Sequence, residues 1–320
     1  MRKIGIVTSG GDAPGMNAAI RALVRLSVWN NIEVVGFLRG WEGVIKNNFI
    51  PLNARTVSGI LHLGGTILKT SRCTEFKTRE GLEKAARNLE ENGLDGLVVI
   101  GGEGSIRGSY ELSKFTDVKI VALPASIDND VYGTDETIGF DTAVNTALTE
   151  INKIRDTAIS HERTFIIEVM GRKRGFLAVE IGLTAGAEVI LVPEVEYNED
   201  AVIETIRKNA RIGKSSSIII IAEGVGKTTS LAEAIEKNVG VEVRVSVLGY
   251  VQRGGSPTAR SRHLASIFAE KAIELLLDGK GGRVVGIQKG EVTSISLEES
   301  CSNVKPLNIE LLKLAEKLAV

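Results

Sequence analysis

The 320-residue chain sets 39 Lys and Arg against 40 Asp and Glu, a formal net charge of −1, with 43% hydrophobic and 25% charged residues. That balance suits a globular protein long enough for two lobes, and it lacks the basic excess that nucleic acid or an anionic membrane selects. Two cysteines, Cys73 and Cys301, exclude a disulfide framework and are too few for a zinc site; Met-Arg-Lys runs straight into a short strand and no apolar run nears the ~20 residues of a membrane helix, so a cytoplasmic protein with no nucleic-acid or membrane partner is expected.

The first apolar run, Ile4-Gly5-Ile6-Val7, stops at Gly10-Gly11, and Pro14-Gly15 opens an amphipathic segment. Strand, tight turn and helix are predicted there, with phosphate as the guest of the glycines and the helix N-terminus. An ordinary turn between strand and helix accounts for the same residues. Further apolar, β-branched runs lie at 32–38, 97–100, 118–123, 164–169, 189–192, 217–222, 241–248 and 283–287. Most are near-continuous, the pattern of strands buried on both faces of a parallel sheet. Helical spacing appears at 78–92, closed by Gly93, at 139–160, at 199–211 behind a capping Asn198, and at 261–277. Alternating strands and helices define an α/β fold with helices on both faces. No Pro/Ser-rich linker separates the lobes.

The second glycine cluster, Gly101-Gly102-Glu103-Gly104-Ser105, also ends a strand. It reads either as a polyphosphate loop whose carboxylate holds Mg²⁺ or as a turn with a solvated Glu. The run after Pro124, Ala125-Ser126-Ile127-Asp128-Asn129-Asp130, puts two carboxylates beyond a strand's carboxyl end, where open α/β sheets bind ligands. A general base with a metal-ordering partner fits them, and so does Asx-turn chemistry. Arg163, Arg172, Arg244 and Arg253 sit beside strands or glycines. A structural ion pair explains any one of them, whereas four together favour an anionic substrate. Glu223-Gly224-Val225-Gly226-Lys227-Thr228 imitates a P-loop, but Ile221 stands where the first glycine belongs. His62, His161 and His263 have no metal-ligand spacing and read as structural.

In order and spacing these blocks, with Gly64-Gly65-Thr66-Ile67-Leu68, Arg72-Cys73, Ser160-His161-Glu162-Arg163, Glu168-Val169-Met170-Gly171-Arg172, Ala222-Glu223-Gly224 and Val251-Gln252-Arg253-Gly254-Gly255, resemble the bacterial ATP-dependent 6-phosphofructokinase family along nearly the whole chain. The resemblance implies transfer of phosphate from ATP to the C1 hydroxyl of fructose 6-phosphate, the committed step of glycolysis. It also implies a homotetramer of two Rossmann-like lobes with mainly parallel sheets and an active site in the cleft between them. Residues 1–138 plus about 251–304 would form the ATP-binding lobe, and 139–250 plus about 305–320 the sugar-phosphate lobe. By the same resemblance Gly11, Arg72, Cys73, Gly102, Glu103, Gly104 and Ser105 line the ATP site, with Glu103 on Mg²⁺. Asp128 is the general base, with Arg172 and Gly11 at the transferring group. Ser126, Ile127, Asp128, Met170, Gly171, Arg172 and Glu223 hold the sugar. Arg163 and Arg244 reach the sugar phosphate from a neighbouring subunit, with Tyr250, Val251, Gln252 and Arg253 completing that pocket. Arg21, Arg25, Arg155, Gly186, Glu188 and Lys214 match an effector site for ADP or phosphoenolpyruvate.

Three departures accompany the match. Glu103 stands where most relatives have Asp, and Tyr250 where many have His. Ile212, Ser215 and Ser216 replace residues that are often basic, which implies weakened regulation. Pyrophosphate-dependent relatives tend to carry Asp at 104 and Lys at 125, so Gly104 and Ala125 favour ATP. A non-catalytic sugar-phosphate sensor is disfavoured because base and metal carboxylate are both present. The arginine set and Gln252-Arg253-Gly254-Gly255 argue against NAD or lipid kinases.

Overall fold

The computed structural model describes residues 1–319. In chain order the elements begin with β1 (Lys3–Thr8), α1 (Met16–Trp29), β2 (Glu33–Phe37), α2 (Trp41–Ile45), β3 (Phe49–Leu52), α3 (Arg79–Glu91), β4 (Gly96–Gly101) and α4 (Glu103–Leu112). Next come β5 (Lys119–Ser126), β6 (Ile138–Gly139), α5 (Phe140–His161), β7 (Thr164–Val169), α6 (Phe176–Ala185), β8 (Val189–Leu191) and α7 (Glu199–Arg211). The chain ends with β9 (Ser217–Ala222), α8 (Thr228–Val239), β10 (Val243–Val247), α9 (Ala259–Leu277), β11 (Arg283–Gln288), β12 (Glu291–Ser296), α10 (Leu297–Ser302) and α11 (Glu310–Leu318). They divide into two compact units, Met1–Thr142 with Arg253–Lys305, and Ala143–Gln252 with the segment from Pro306. Among the described residues no helix is long and apolar enough to cross a membrane.

The first unit is built on a sheet of order β12-β11-β5-β4-β1-β2-β3, with β6 beside the end of β5. Its interior pairs are parallel, and the outer β2–β3 and β11–β12 pairs are antiparallel. The parallel strands follow from sequence: Ile4, Ile6, Leu97, Val98, Val99, Val121 and Ala122 are all fully buried, as strands covered on both faces require. Trp41 stacks on Phe76 with ring centroids 4.1 Å apart, closing one side of this core. β5 runs past the expected end at Leu123 because β6 pairs with Ala125 and Ser126. The antiparallel strand β12 has no continuous apolar run; a two-residue turn at Lys289 (φ 53°) and Gly290 (φ 86°) creates it by folding the chain back on β11.

The second unit holds a four-stranded, all-parallel sheet of order β10-β7-β9-β8. Ile166, Ile219 and Ile221 pack there against Val202 and Ile206 of α7 and Leu231 and Ile235 of α8. β10 corrects the expectation of a strand buried on both faces. It is an edge strand whose Arg244, Val245 and Val247 are exposed, so an arginine inside it costs no burial.

Helix starts follow the sequence closely where a cap exists. Thr78 accepts the Gly81 N–H at 3.1 Å, and Asn198 accepts the Ala201 N–H at 3.0 Å. Thr258 caps α9 from the Ser261 N–H (3.3 Å), donates to Asp141 (2.5 Å), and belongs to a hydroxyl cluster in which Thr142 and Ser261 oxygens lie 2.8 Å apart. Thr258→Ala is expected to cost about 1–2 kcal/mol by loss of the cap, read as a lower urea midpoint that Thr258→Ser restores. A midpoint unchanged in the alanine variant would show that the cluster holds without its cap.

Candidate active site

Strand register places the first unit's motifs. Thr8 pairs with Ile100, and Ile100 with Leu123, so β1, β4 and β5 reach their carboxyl ends in one row. From β1 the chain crosses to β2 on one side, whereas β4 and β5 lie on the other. This reversal is the topological switch point at which open α/β sheets leave a ligand crevice. The loops Ser9–Gly11, Gly101–Ser105 and Ser126–Asp130 all emerge there.

These loops touch. Gly10 adopts φ 83°, and Ser9 N–H bonds to Ile100 O at 3.0 Å, which turns the β1 loop across the end of β4. A Cβ on Gly10 would meet Ser105 Oγ at 3.1 Å, and one on Gly102 would meet Ser126 Cβ at 3.3 Å. A Cβ on Gly11 would meet Arg253 Nη1 at 2.9 Å, so the guanidinium lies against the glycine turn. Beside Gly104 a Cβ would meet nothing within 4 Å. Thr70 donates to Gly10 O at 2.8 Å and Thr8 to Lys69 O at 3.0 Å, which ties the segment carrying exposed Arg72 and half-buried Cys73 to the same turn.

One expectation is corrected. The N-terminus of α1 is buried: Met16 is 1% and Asn17 2% exposed. Asn17 bonds Leu63 O, Gly64 O and Ile67 N–H, so it serves protein rather than a ligand. The exposed donors are the Gly10–Gly11 turn and the first turn of α4, which starts at Glu103 behind Gly102.

Carboxylates crowd this edge. Glu103 is exposed and pairs with Arg107 at 3.2 Å. Asp128 N–H donates to Ser126 Oγ at 3.2 Å, which turns the loop back on its strand. Asp130 has a buried Oδ1 with no hydrogen-bond partner, and its pKa is raised to about 6 by burial, then by the charges of Asp128 and Glu103. Ile127, just before Asp128, is 3% exposed, so its side chain packs into the protein. Ala125 is 1% exposed, so the open space on this side belongs to Gly104 alone.

The second unit repeats the plan with the opposite charge. Val169 pairs with Ala222 and Glu168 with Val247, so Met170-Gly171-Arg172, Glu223 and Gly249–Arg253 leave adjacent strand ends. Gly224 N–H donates to Gly171 O at 3.2 Å, joining two of these loops. Arg172 is exposed and Glu223 half-buried. Tyr250 and Val251 are 79% and 54% exposed, but Gln252 is fully buried and accepts the Met170 N–H at 2.8 Å. Gln252 therefore shapes the Met170 loop through its Oε1, while its buried Nε2 has no hydrogen-bond partner. Arg163 (2.7 Å) and Arg244 both pair with Glu242, a carboxylate that inspection of single arginines overlooks because no motif contains it.

The residues matched to an effector site fall in both units. Arg21 and Arg25 line a groove of the first unit with Trp29 and Glu270; burial and then Arg25 lower the Arg21 pKa. In the second unit Arg155 bonds the carbonyls of Ala185 and Gly186, and Lys214 pairs with buried Glu188 at 2.8 Å. Lys214 is thus already neutralised within its own chain.

Parallel sheets that present glycine turns, clustered carboxylates and arginines at their carboxyl edges define an α/β protein that handles phosphates. The chain belongs to the phosphofructokinase family, whose model matches residues 3–276. It is 51% identical to ATP-dependent 6-phosphofructokinase 1 of Thermus thermophilus and 48% identical to the ATP-dependent 6-phosphofructokinase of Shouchella clausii, each over 100% of both chains. Among solved structures, a Pichia pastoris phosphofructokinase superposes with a TM-score of 0.89 at 34% identity over 94% of this chain, which spans 35% of that one. A pyrophosphate-dependent phosphofructokinase of Marinobacter aquaeolei gives a TM-score of 0.86 at 21% identity over 98% of this chain and 91% of that one, a likeness of fold alone.

The Asp130 carboxyl carries a stability signature. Its folded pKa of about 6 exceeds the ordinary 3.8, so the folded state holds the proton more tightly. Stability therefore falls as pH rises from about 4 to about 6 and stays lower above, by up to about 3 kcal/mol. Asp130→Asn is expected to raise the unfolding free energy at pH 8 and to leave it nearly unchanged at pH 4. Equal effects at both pH values would remove the buried charge as the cause.

Proposed function

We propose that the chain transfers the terminal phosphoryl group of ATP to the C1 hydroxyl of fructose 6-phosphate, giving fructose 1,6-bisphosphate in glycolysis. The observation that carries this reading is the row of strand ends that sets the Gly10–Gly11 turn, the first turn of α4 and the Ser126–Asp130 loop side by side, with open space beside Gly104. Full-length relatives bearing that activity in their names support it.

In this reading the N–H groups at Gly11 and at Gly102 to Ser105 receive the nucleotide phosphates, with Arg72 and Cys73 along the nucleotide. Mg²⁺ takes one or two carboxylates and several phosphate oxygens, not an all-protein cage. That matches the described residues, which contain no cluster of three His, Cys, Asp or Glu set for a metal but do carry Glu103 and the unpartnered Oδ1 of Asp130. Glu103 would hold the ion, which supplies charge neutralisation on the phosphates when bound. Asp128 takes the proton of the C1 hydroxyl as its oxygen attacks, and Arg172 balances the charge of the transferring group. Met170, Gly171 and Glu223 hold the sugar. Arg163 and Arg244 of a neighbouring subunit, with the Tyr250–Arg253 turn, receive its phosphate, which competes with Glu242 for the two arginines. The reading includes a homotetramer and an ADP or phosphoenolpyruvate effector at Arg21, Arg25, Arg155, Gly186, Glu188 and Lys214.

The donor argument rests on position 104, because pyrophosphate-dependent enzymes share the fold. Purified protein is expected to turn over ATP with Mg²⁺ and fructose 6-phosphate and to use pyrophosphate poorly; faster turnover with pyrophosphate contradicts the reading. Asp128→Asn is expected to lower kcat by about 10²–10⁴-fold while ATP still binds. A kcat close to wild type would assign the proton to another group or to water.

A further inference from the structure

We propose that Lys305 is a positioning residue for the reaction, clamping Asn129 and thereby aiming Asp128. The inference deepens the proposed function and rests on the reading of Asp128 as general base. Asn129 lies between the two carboxylates of the loop, is 6% exposed, and adopts φ 52°, a left-handed conformation that the surroundings must hold. Rotation of this residue alone re-aims Asp128 on one side and Asp130 on the other.

Every polar atom of the Asn129 side chain is engaged. Its Oδ1 accepts the Thr137 N–H at 3.0 Å and the Lys305 ammonium at 2.9 Å, and its Nδ2 donates to Asp135 O at 3.2 Å. Lys305 Nζ also donates to Asp135 O at 2.9 Å, which closes a ring through Lys305, Asn129 and Asp135. Thr137 ties the ring to the strand by donating to Ser126 O at 2.6 Å. The Asn129 partners among the loop residues lie within eight positions along the chain, whereas Lys305 arrives from 176 residues away. Asp135 is itself anchored on the β11–β12 hairpin, its N–H on Ile287 O at 2.7 Å and its Oδ2 on the Lys289 N–H at 2.6 Å, and Lys305 is the member that bonds Asn129 directly from a distant segment.

The ammonium is a desolvated cation. Burial pulls the Lys305 pKa down to about 8, against the upward pull of Asp135, Asp130 and Glu136. A half-buried cation with charge-assisted bonds to two uncharged oxygens, behind a loop crowded with carboxylates, does two things at once. It fixes the loop geometrically, and its charge opposes the upward pull of Asp128 and Glu103 on Asp130.

Misplacement of a catalytic group by about 1 Å can cost on the order of 10²-fold, so Lys305→Met is expected to lower kcat by about 10- to 100-fold. The KM for ATP should stay within about twofold, since the donor loops at Gly11 and Gly102 are untouched. Amide hydrogen exchange should accelerate over residues 127–137 and not in the rest of the sheet, a readout independent of activity. Combined with Asp128→Asn, the lysine variant should cause no further loss of kcat, because it acts through Asp128. Should the methionine variant fail to fold, Lys305→Gln, which keeps donors without charge, carries the same tests with a smaller loss.

A kcat within twofold of wild type overturns the proposal, and so does an equal fold-loss in the Asp128→Asn background. Failure of the general-base reading appears separately, as an Asp128→Asn enzyme of undiminished kcat with Lys305 intact.

Discussion

Three parallel strands that end in one row where the chain reverses direction are the constraint on which the first unit depends. Thr8, Ile100 and Leu123 are neighbours across the sheet, so whatever follows each of them must share one edge. At 101 a Cβ would strike the Ser9 carbonyl oxygen at 2.5 Å, and at 10, 11 and 102 it would crowd the side chains of Ser105, Arg253 and Ser126, so glycine suits all four positions. The same convergence exposes N–H donors and forces acidic residues of separate loops together. The sequence pattern, the crevice and the charge cluster are three consequences of one register.

The two units differ in how charge is distributed at their sheet edges. At the edge of the first, burial and the charges of Asp128 and Glu103 raise the cost of ionising Asp130, while Arg107 pairs with Glu103 and Lys305 bonds the neighbouring Asn129. An edge of that kind suits phosphates that arrive with a cation. In the second unit exposed Arg172 follows the carboxyl end of β7, whereas Arg163 and Arg244 share Glu242 at the amino ends of β7 and β10, so its arginines stand at two edges of the sheet. Gln252 and Asn129 are alike in one respect: each is a buried amide whose oxygen accepts a backbone N–H of the loop beside it.

Much of this was legible along the chain because the signals are local. Continuous runs of Ile, Val and Leu gave the buried parallel strands, and glycines at their ends gave the loops. Thr78 and Asn198 marked helix starts by capping them within three residues. What stayed hidden depends on tertiary placement. β10 has the composition of a buried strand, but its place at the edge of the sheet exposes Arg244. α1 has the glycine entry of an anion site, yet its first turn is buried, and Asn17 holds the 63–67 segment there. The pairing of Arg163 with Glu242 and the reach of Lys305 to Asn129 join residues 79 and 176 positions apart, beyond any spacing rule.

The central claim is that the glycine turn at the β1–β4 reversal receives the nucleotide phosphates. Isothermal titration of ATP into the protein and into a Gly11→Val variant tests it most directly, because the added side chain fills the turn and meets Arg253. The expected result is ATP affinity weakened at least about tenfold, or more than about 1.4 kcal/mol, in a variant that melts as the wild type does. An equally stable variant that binds ATP with wild-type affinity would place the phosphates elsewhere and contradict the account.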